Sequence, residues 1–186
     1  VEMWDASRRR LVEVRPAGNT SSVLFAPDGH MLYTFGKDGA RSWPVHIHAS
    51  SAVELEIGPP TIMLDNTAGR AEIDRNGRYL AFAQGSHDGI IELPTGSTLH
   101  LGQHEHLDRV TISPDAQWIV TTTWHGRGIR VWDVLSGQLV EDLLPDVSSA
   151  TARFSPDGQW LAASDGTDCY LWRTGSWKLV HRLTRE

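Results

Sequence analysis

The sequence predicts an all-β chain made of repeated four-stranded antiparallel units. Three observations predict it. First, Val110-Thr111-Ile112-Ser113-Pro114-Asp115-Ala116-Gln117-Trp118-Ile119-Val120 recurs as Ala152-Arg153-Phe154-Ser155-Pro156-Asp157-Gly158-Gln159-Trp160-Leu161-Ala162, the prolines 42 residues apart. Second, each copy runs on to an apolar strand closed by tryptophan, Ile129-Arg130-Val131-Trp132-Asp133 and Cys169-Tyr170-Leu171-Trp172, the tryptophans 40 apart. Third, Leu80-Ala81-Phe82-Ala83 and Leu161-Ala162-Ala163 are apolar at consecutive positions. A strand with one wet face would alternate instead, so these strands need cover on both faces.

The chain opens on Val1-Glu2-Met3-Trp4-Asp5, the pattern that ends a unit, and residues 1–14 read as a two-stranded remnant. Full units follow at 15–57, 58–101, 102–144 and 145–186. The first carries Val23-Leu24-Phe25-Ala26-Pro27-Asp28-Gly29 and Ala40-Arg41-Ser42-Trp43. The second carries Ala71-Glu72-Ile73-Asp74-Arg75-Asn76-Gly77 and Gly89-Ile90-Ile91-Glu92-Leu93, where arginine replaces the proline and leucine the tryptophan. An insertion at Thr61 to Arg70 precedes it. In the third unit the strands are Arg109–Ser113, Trp118–Thr123, Ile129–Val134 and Gln138–Leu143. Pro114-Asp115-Ala116 turns the chain after the first, because proline presets φ and aspartate bonds nearby backbone donors. Gly126 and Gly128 are placed to take positive φ in the next loop. The fourth unit repeats this layout.

A period near 40–45 residues with four short strands is that of a β-propeller blade. Neighbouring blades cover both faces of a sheet, which a sandwich does not. The repeats resemble the WD-repeat β-propeller family over nearly the whole chain. The Thr123–Asp133 and Phe154–Leu161 segments look most like bacterial WD-repeat regions attached to signalling domains. That resemblance implies a network of loop histidine, strand serine or threonine, turn aspartate and strand tryptophan. Here it is partial: Trp132 is in place, His104 or His106 supplies the histidine, and Gly126 stands where the aspartate would fall. Burial, more than polar bonding, is expected to hold the blades together. Four units and a remnant read as an incomplete ring, part of about seven blades by resemblance, with a tight four-bladed ring as the alternative. An open flank invites self-association through unpaired or uncovered blade edges.

Composition narrows the function. The net charge of −6 disfavours a nucleic-acid partner, and Arg8-Arg9-Arg10 reads as a solvated turn. No apolar run approaches the roughly 18 residues that span a bilayer. Cys169 is the single cysteine, which fits a reducing, cytoplasmic setting, and it reads as a small buried hydrophobe. No nucleophile elbow, phosphate-binding loop or repeated sialidase-type aspartate motif is present. Ser86-His87-Asp88-Gly89 and Ser164-Asp165-Gly166 read as turns, and His46 and His48 do not read as ligands.

These features make the chain a non-enzymatic protein-interaction scaffold, without cofactor, metal, nucleic acid or membrane, and a module of a larger bacterial signalling or regulatory protein. The candidate protein-binding residues are Trp124, His125 and Arg127, with His104 and His106 on a loop of the same face. Tryptophan and arginine dominate interface hot spots. Trp124 packing inward is the competing reading. The rival function is a propeller enzyme or a metal site built on His104, His106 and His125.

Overall fold

The computed structural model describes residues 2–5, 10–14, 18–47, 55–65, 69–84 and 87–184, in two units, Val1–Ala68 and Gly69–Glu186. Arg8, Arg9, His48, Ser86 and residues 66–68 of the insertion lie outside the described residues. Among the described residues every regular element is a strand.

In the first unit β1 (Glu2–Asp5) pairs antiparallel with β2 (Arg10–Val14). A second sheet runs β3 (Thr20–Phe25), β4 (Met31–Gly36), β5 (Gly39–Ile47). The nine residues of β5 carry two partners: β6 (Leu55–Ile57) on the Val45–Ile47 end and β7 (Thr61–Leu64) on the Ala40–Ser42 end. Part of the insertion is therefore a strand that covers edge backbone β6 is too short to reach. Met3, Leu32, Trp43, Val45 and Ile57 form the core of this unit.

The second unit holds three consecutive four-stranded antiparallel sheets, the architecture of propeller blades. They are β8 (Arg70–Ile73), β9 (Tyr79–Gln84), β10 (His87–Glu92) and β11 (Ser97–His100); β12 (Leu107–Ile112), β13 (Trp118–Thr123), β14 (Ile129–Asp133) and β15 (Leu139–Leu143); β16 (Thr151–Phe154), β17 (Trp160–Ser164), β18 (Asp168–Arg173) and β19 (Lys178–Thr184). Consecutive apolar residues serve opposite faces. On the middle sheet Ile119 and Trp132 pack with Tyr79, Ala81 and Ile90 of the preceding one. Their neighbours Val120 and Val131 pack with Ala152, Leu161 and Trp172 of the following one. Trp118 meets Trp177 edge-on across that second interface, centroids 5.4 Å apart. Along the first strands, Glu72 accepts from Thr111 and pairs with Arg153, one residue from each sheet.

The turn between first and second strands follows one rule with different residues. Its fourth residue returns a hydrogen bond to the first: Gly29 to Ala26, Gly77 to Asp74, Ala116 to Ser113, Gly158 to Ser155. In the last two turns the aspartate accepts from the serine hydroxyl and from the following glutamine N–H, while the serine oxygen accepts from the tryptophan N–H. Asp74 does both jobs alone, accepting from the N–H groups of Asn76, Arg78 and Tyr79.

Two expectations are corrected. Cys169 is exposed, beside Ala162, Leu171 and Leu183. Gly128 has positive φ as expected, but His125, not Gly126, is its partner in the loop.

Ala116 stands in the left-handed conformation, φ 56°, where the other three turns use glycine. That conformation costs a residue with a Cβ about 1–2 kcal/mol, partly offset by the greater unfolded-state freedom of glycine. Ala116→Gly is expected to stabilise the chain by about 0.5–1 kcal/mol, read as a higher urea midpoint with an unchanged m-value.

Candidate interaction site

The loop joining β13 to β14 departs from strand geometry at Trp124 and is held from two neighbouring segments. Trp124 N–H donates to His106 O at 3.0 Å, Gly126 N–H to Ser148 O at 2.9 Å and Gly128 N–H to Val147 O at 2.8 Å. His125 N–H donates to Ser149 Oγ at 3.1 Å. His106 and His125 both adopt left-handed φ, 56° and 59°. Nothing larger than glycine fits at 126, since a Cβ there would stand 2.5 Å from Glu105 O. The backbone is thus tied through the N–H groups of residues 124, 125, 126 and 128, while Trp124 is 62% exposed and His125, Arg127 and His106 are exposed as well.

His104 lies beneath the loop, 2% exposed. Its Nε2 is 2.7 Å from Arg127 O and its Nδ1 2.8 Å from Thr121 Oγ1. A carbonyl can only accept, so Nε2 carries the proton and Nδ1 accepts from the threonine hydroxyl. Trp132 Nε1–H donates to the same hydroxyl at 2.8 Å. The chain of bonds runs one way, from Trp132 through Thr121 and His104 to the loop carbonyl. Burial pushes the His104 pKa down, with the Arg127 carbonyl opposing it, so the neutral ring this chain requires is favoured. The network is fuller than the sequence suggests, because a backbone carbonyl takes the place of the missing aspartate.

Beside Trp124 runs a groove of about 190 Å³. It is lined by Trp124, by residues 149–151, and by Ser164, Asp165 and Gly166. Sequence reasoning took Asp165 for turn geometry alone. Its Oδ1 does accept from Thr167 and Asp168 N–H, but its Oδ2 accepts from Tyr170 Oη at 2.9 Å, a contact no local pattern announces.

Of the five candidates the structure brings Trp124, His125, Arg127 and His106 to one exposed surface and places His104 under it. Among the described residues no group of three His, Cys, Asp or Glu side chains is placed to hold a metal ion, and both His104 nitrogens are engaged.

Residues 144–173 match the family model described as WD domain, G-beta repeat. The chain is 29% identical over 98 residues to an uncharacterized WD repeat-containing protein of Synechocystis sp., covering 50% of this chain and 28% of that protein. It is 33% identical over 73 residues to WD repeat-containing protein 36 of Homo sapiens, covering 38% of this chain and 8% of that one. The matches thus span less than a third of either relative's length. No helix among the described residues is long and apolar enough to cross a membrane.

One further buried charge adjoins the histidine network. Asp88 on β10 is 2% exposed and its Oδ2 has no hydrogen-bond partner. Burial raises its pKa to about 6, against a smaller lowering by its own backbone N–H and by Arg130. Arg130 itself is occupied by Asp142 and by the Gln103 carbonyl. With the folded pKa above the unfolded value of 3.8, the folded state binds the extra proton, so stability rises as pH falls from about 6 towards 4. Asp88→Asn is expected to remove that rise and to gain about 1 kcal/mol at pH 7. Urea denaturation of both proteins at pH 4.5, 5.5 and 7 checks it, and parallel pH profiles would exclude the carboxylate as the cause.

Proposed function

We propose that the chain is a non-enzymatic protein-interaction scaffold whose contact surface is the Trp124 loop with His125, Arg127 and His106. WD repeats generally serve as protein-interaction modules. The observation that carries the assignment is an exposed tryptophan on a backbone fixed by hydrogen bonds before any partner arrives. Such an anchor loses little conformational entropy on binding, and a large rigid aromatic supplies most of the contact energy. His104 is a positioning residue for this surface. We further read the chain as a cytoplasmic module of a larger bacterial signalling or regulatory protein that binds proteins and not nucleic acids. An exposed free thiol and a net charge of −6 support that setting. The rival metal or enzyme site loses its central ligand, because His104 is already bonded through both nitrogens.

Trp124→Ala is expected to weaken partner capture by about 30-fold or more with stability changed by under about 0.5 kcal/mol. Leu135→Ala is the control, since Leu135 is 78% exposed on a turn of the opposite face. Equal capture by both variants would refute the assignment.

Self-association belongs to the same proposal. Val120, Ile129, Val131 and Leu143 are buried where the next sheet packs on them. Their counterparts on the last sheet, Ala162, Cys169, Leu171 and Leu183, are exposed or half-buried, with Leu183 67% exposed. This apolar face is expected to drive association of copies. Leu183→Glu should lower the mass measured by light scattering at a given concentration, and no change would show that association uses another surface.

A further inference from the structure

The groove beside Trp124 has a chemistry of its own. Among the described residues its only charged lining residue is Asp165, and its aromatic lining residue is Trp124. Both repel anions and attract cations, the carboxylate by charge and the ring through its quadrupole. Asp165 remains ionised at neutral pH, because the N–H groups of Asp168 and Thr167 and the Tyr170 hydroxyl hold its carboxyl below the usual range. Its Oδ1 accepts from two N–H groups, whereas its Oδ2 accepts from the Tyr170 hydroxyl, and each carboxylate oxygen has two lone pairs to offer. Arg182 is committed to Asp168, its Nε 2.7 Å from Oδ2. Arg127 and His125 are exposed on the loop but do not line the groove. Thr151 adds a hydroxyl to the lining, whereas the Ser149 and Ser164 hydroxyl oxygens already accept from the N–H groups of His125 and Gly166. At about 190 Å³ the space is smaller than the ~300 Å³ of a drug-sized pocket and suits one side chain.

We propose that this groove receives an arginine side chain of the protein partner, its guanidinium stacked on Trp124 and bonded to Asp165. The planar fork of five donors matches a carboxylate flanked by hydroxyls, and a guanidinium stacks on an aromatic face at lower desolvation cost than an ammonium. The inference rests on the reading of the Trp124 loop as the contact surface and names what that surface selects.

The test titrates the full chain with N-acetyl-arginine amide and with its neutral isostere N-acetyl-citrulline amide, following indole N–H resonances by NMR. The arginine amide should shift the Trp124 resonance and bind at least about fivefold more tightly than the citrulline amide. Asp165→Asn, which keeps an acceptor for the Thr167 and Asp168 N–H groups, should erase that preference. Thr151→Lys, which leaves Asp165 intact and puts an ammonium in the groove, should abolish binding. Equal affinity for the two amides, or an unchanged preference in Asp165→Asn, would overturn the proposal. Partner capture separates the two readings. Loss with Trp124→Ala but not with Asp165→Asn keeps the contact surface and removes the arginine. Arginine binding that depends on both residues while capture ignores them keeps the groove and removes the contact surface.

Discussion

Burial of both faces of the inner strands β13 and β14 is the constraint from which the rest of the second unit follows. These strands have almost no solvent face on which to place polar side chains, so Ile119 and Val120 are both fully buried, as are Val131 and Trp132. Each pair sends one residue to the preceding sheet and one to the following sheet. A polar group caught between the layers costs about 1–3 kcal/mol when it has no partner. Thr121 avoids this with two bonds on one hydroxyl, from Trp132 and to His104. Thr122 and Thr123 do not: their hydroxyls are buried without hydrogen-bond partners. Packing therefore decides the sheet, and the polar chain decides which way the loop above it faces.

The blade architecture was legible in the sequence because turn chemistry repeats more faithfully than turn residues. The geometry demands a left-handed fourth residue and acceptors for the N–H groups that follow it. Ser-Pro-Asp-Gly supplies them at 155–158, and a single aspartate supplies them at Asp74. A reader of the sequence sees the missing proline at Arg75 and calls the copy weak, although the bonding is complete. What the sequence did not announce is β7. Thr61–Leu64 lacks the repeat pattern, and it becomes a strand because β5 is long enough to leave backbone open beyond β6. Edge availability is a tertiary property with no local signal.

The site was legible in part. Trp124 and Arg127 stand out by residue type, but period-two alternation cannot decide whether Trp124 faces out when the three threonines before it are all buried. What decides it is a bridge to Ser149 and a bond to His106 O, both made by loops distant in sequence. The choice between His104 and His106 has the same character. The two lie on either side of Glu105, and only the first reaches both Thr121 and the Arg127 carbonyl. Asp165 was visible as a residue and invisible as part of a groove, since Trp124, which also lines it, follows β13 of the neighbouring sheet.

The glycine at 126 connects these points. Where the repeat resemblance expects an aspartate, the chain has a residue whose backbone can lie against Glu105 O at a distance no Cβ permits. The histidine that an aspartate would have engaged instead takes the carbonyl of Arg127. That exchange moves a structural bond from a side chain to the backbone. The loop becomes part of the buried network while its side chains are released from it. The side chains of Trp124, His125 and Arg127 are then exposed, and none of them takes part in the buried polar chain. A polar network that ends on a carbonyl tolerates change in the side chains around it, and this is how one loop of a repeated unit can diverge without loss of the fold.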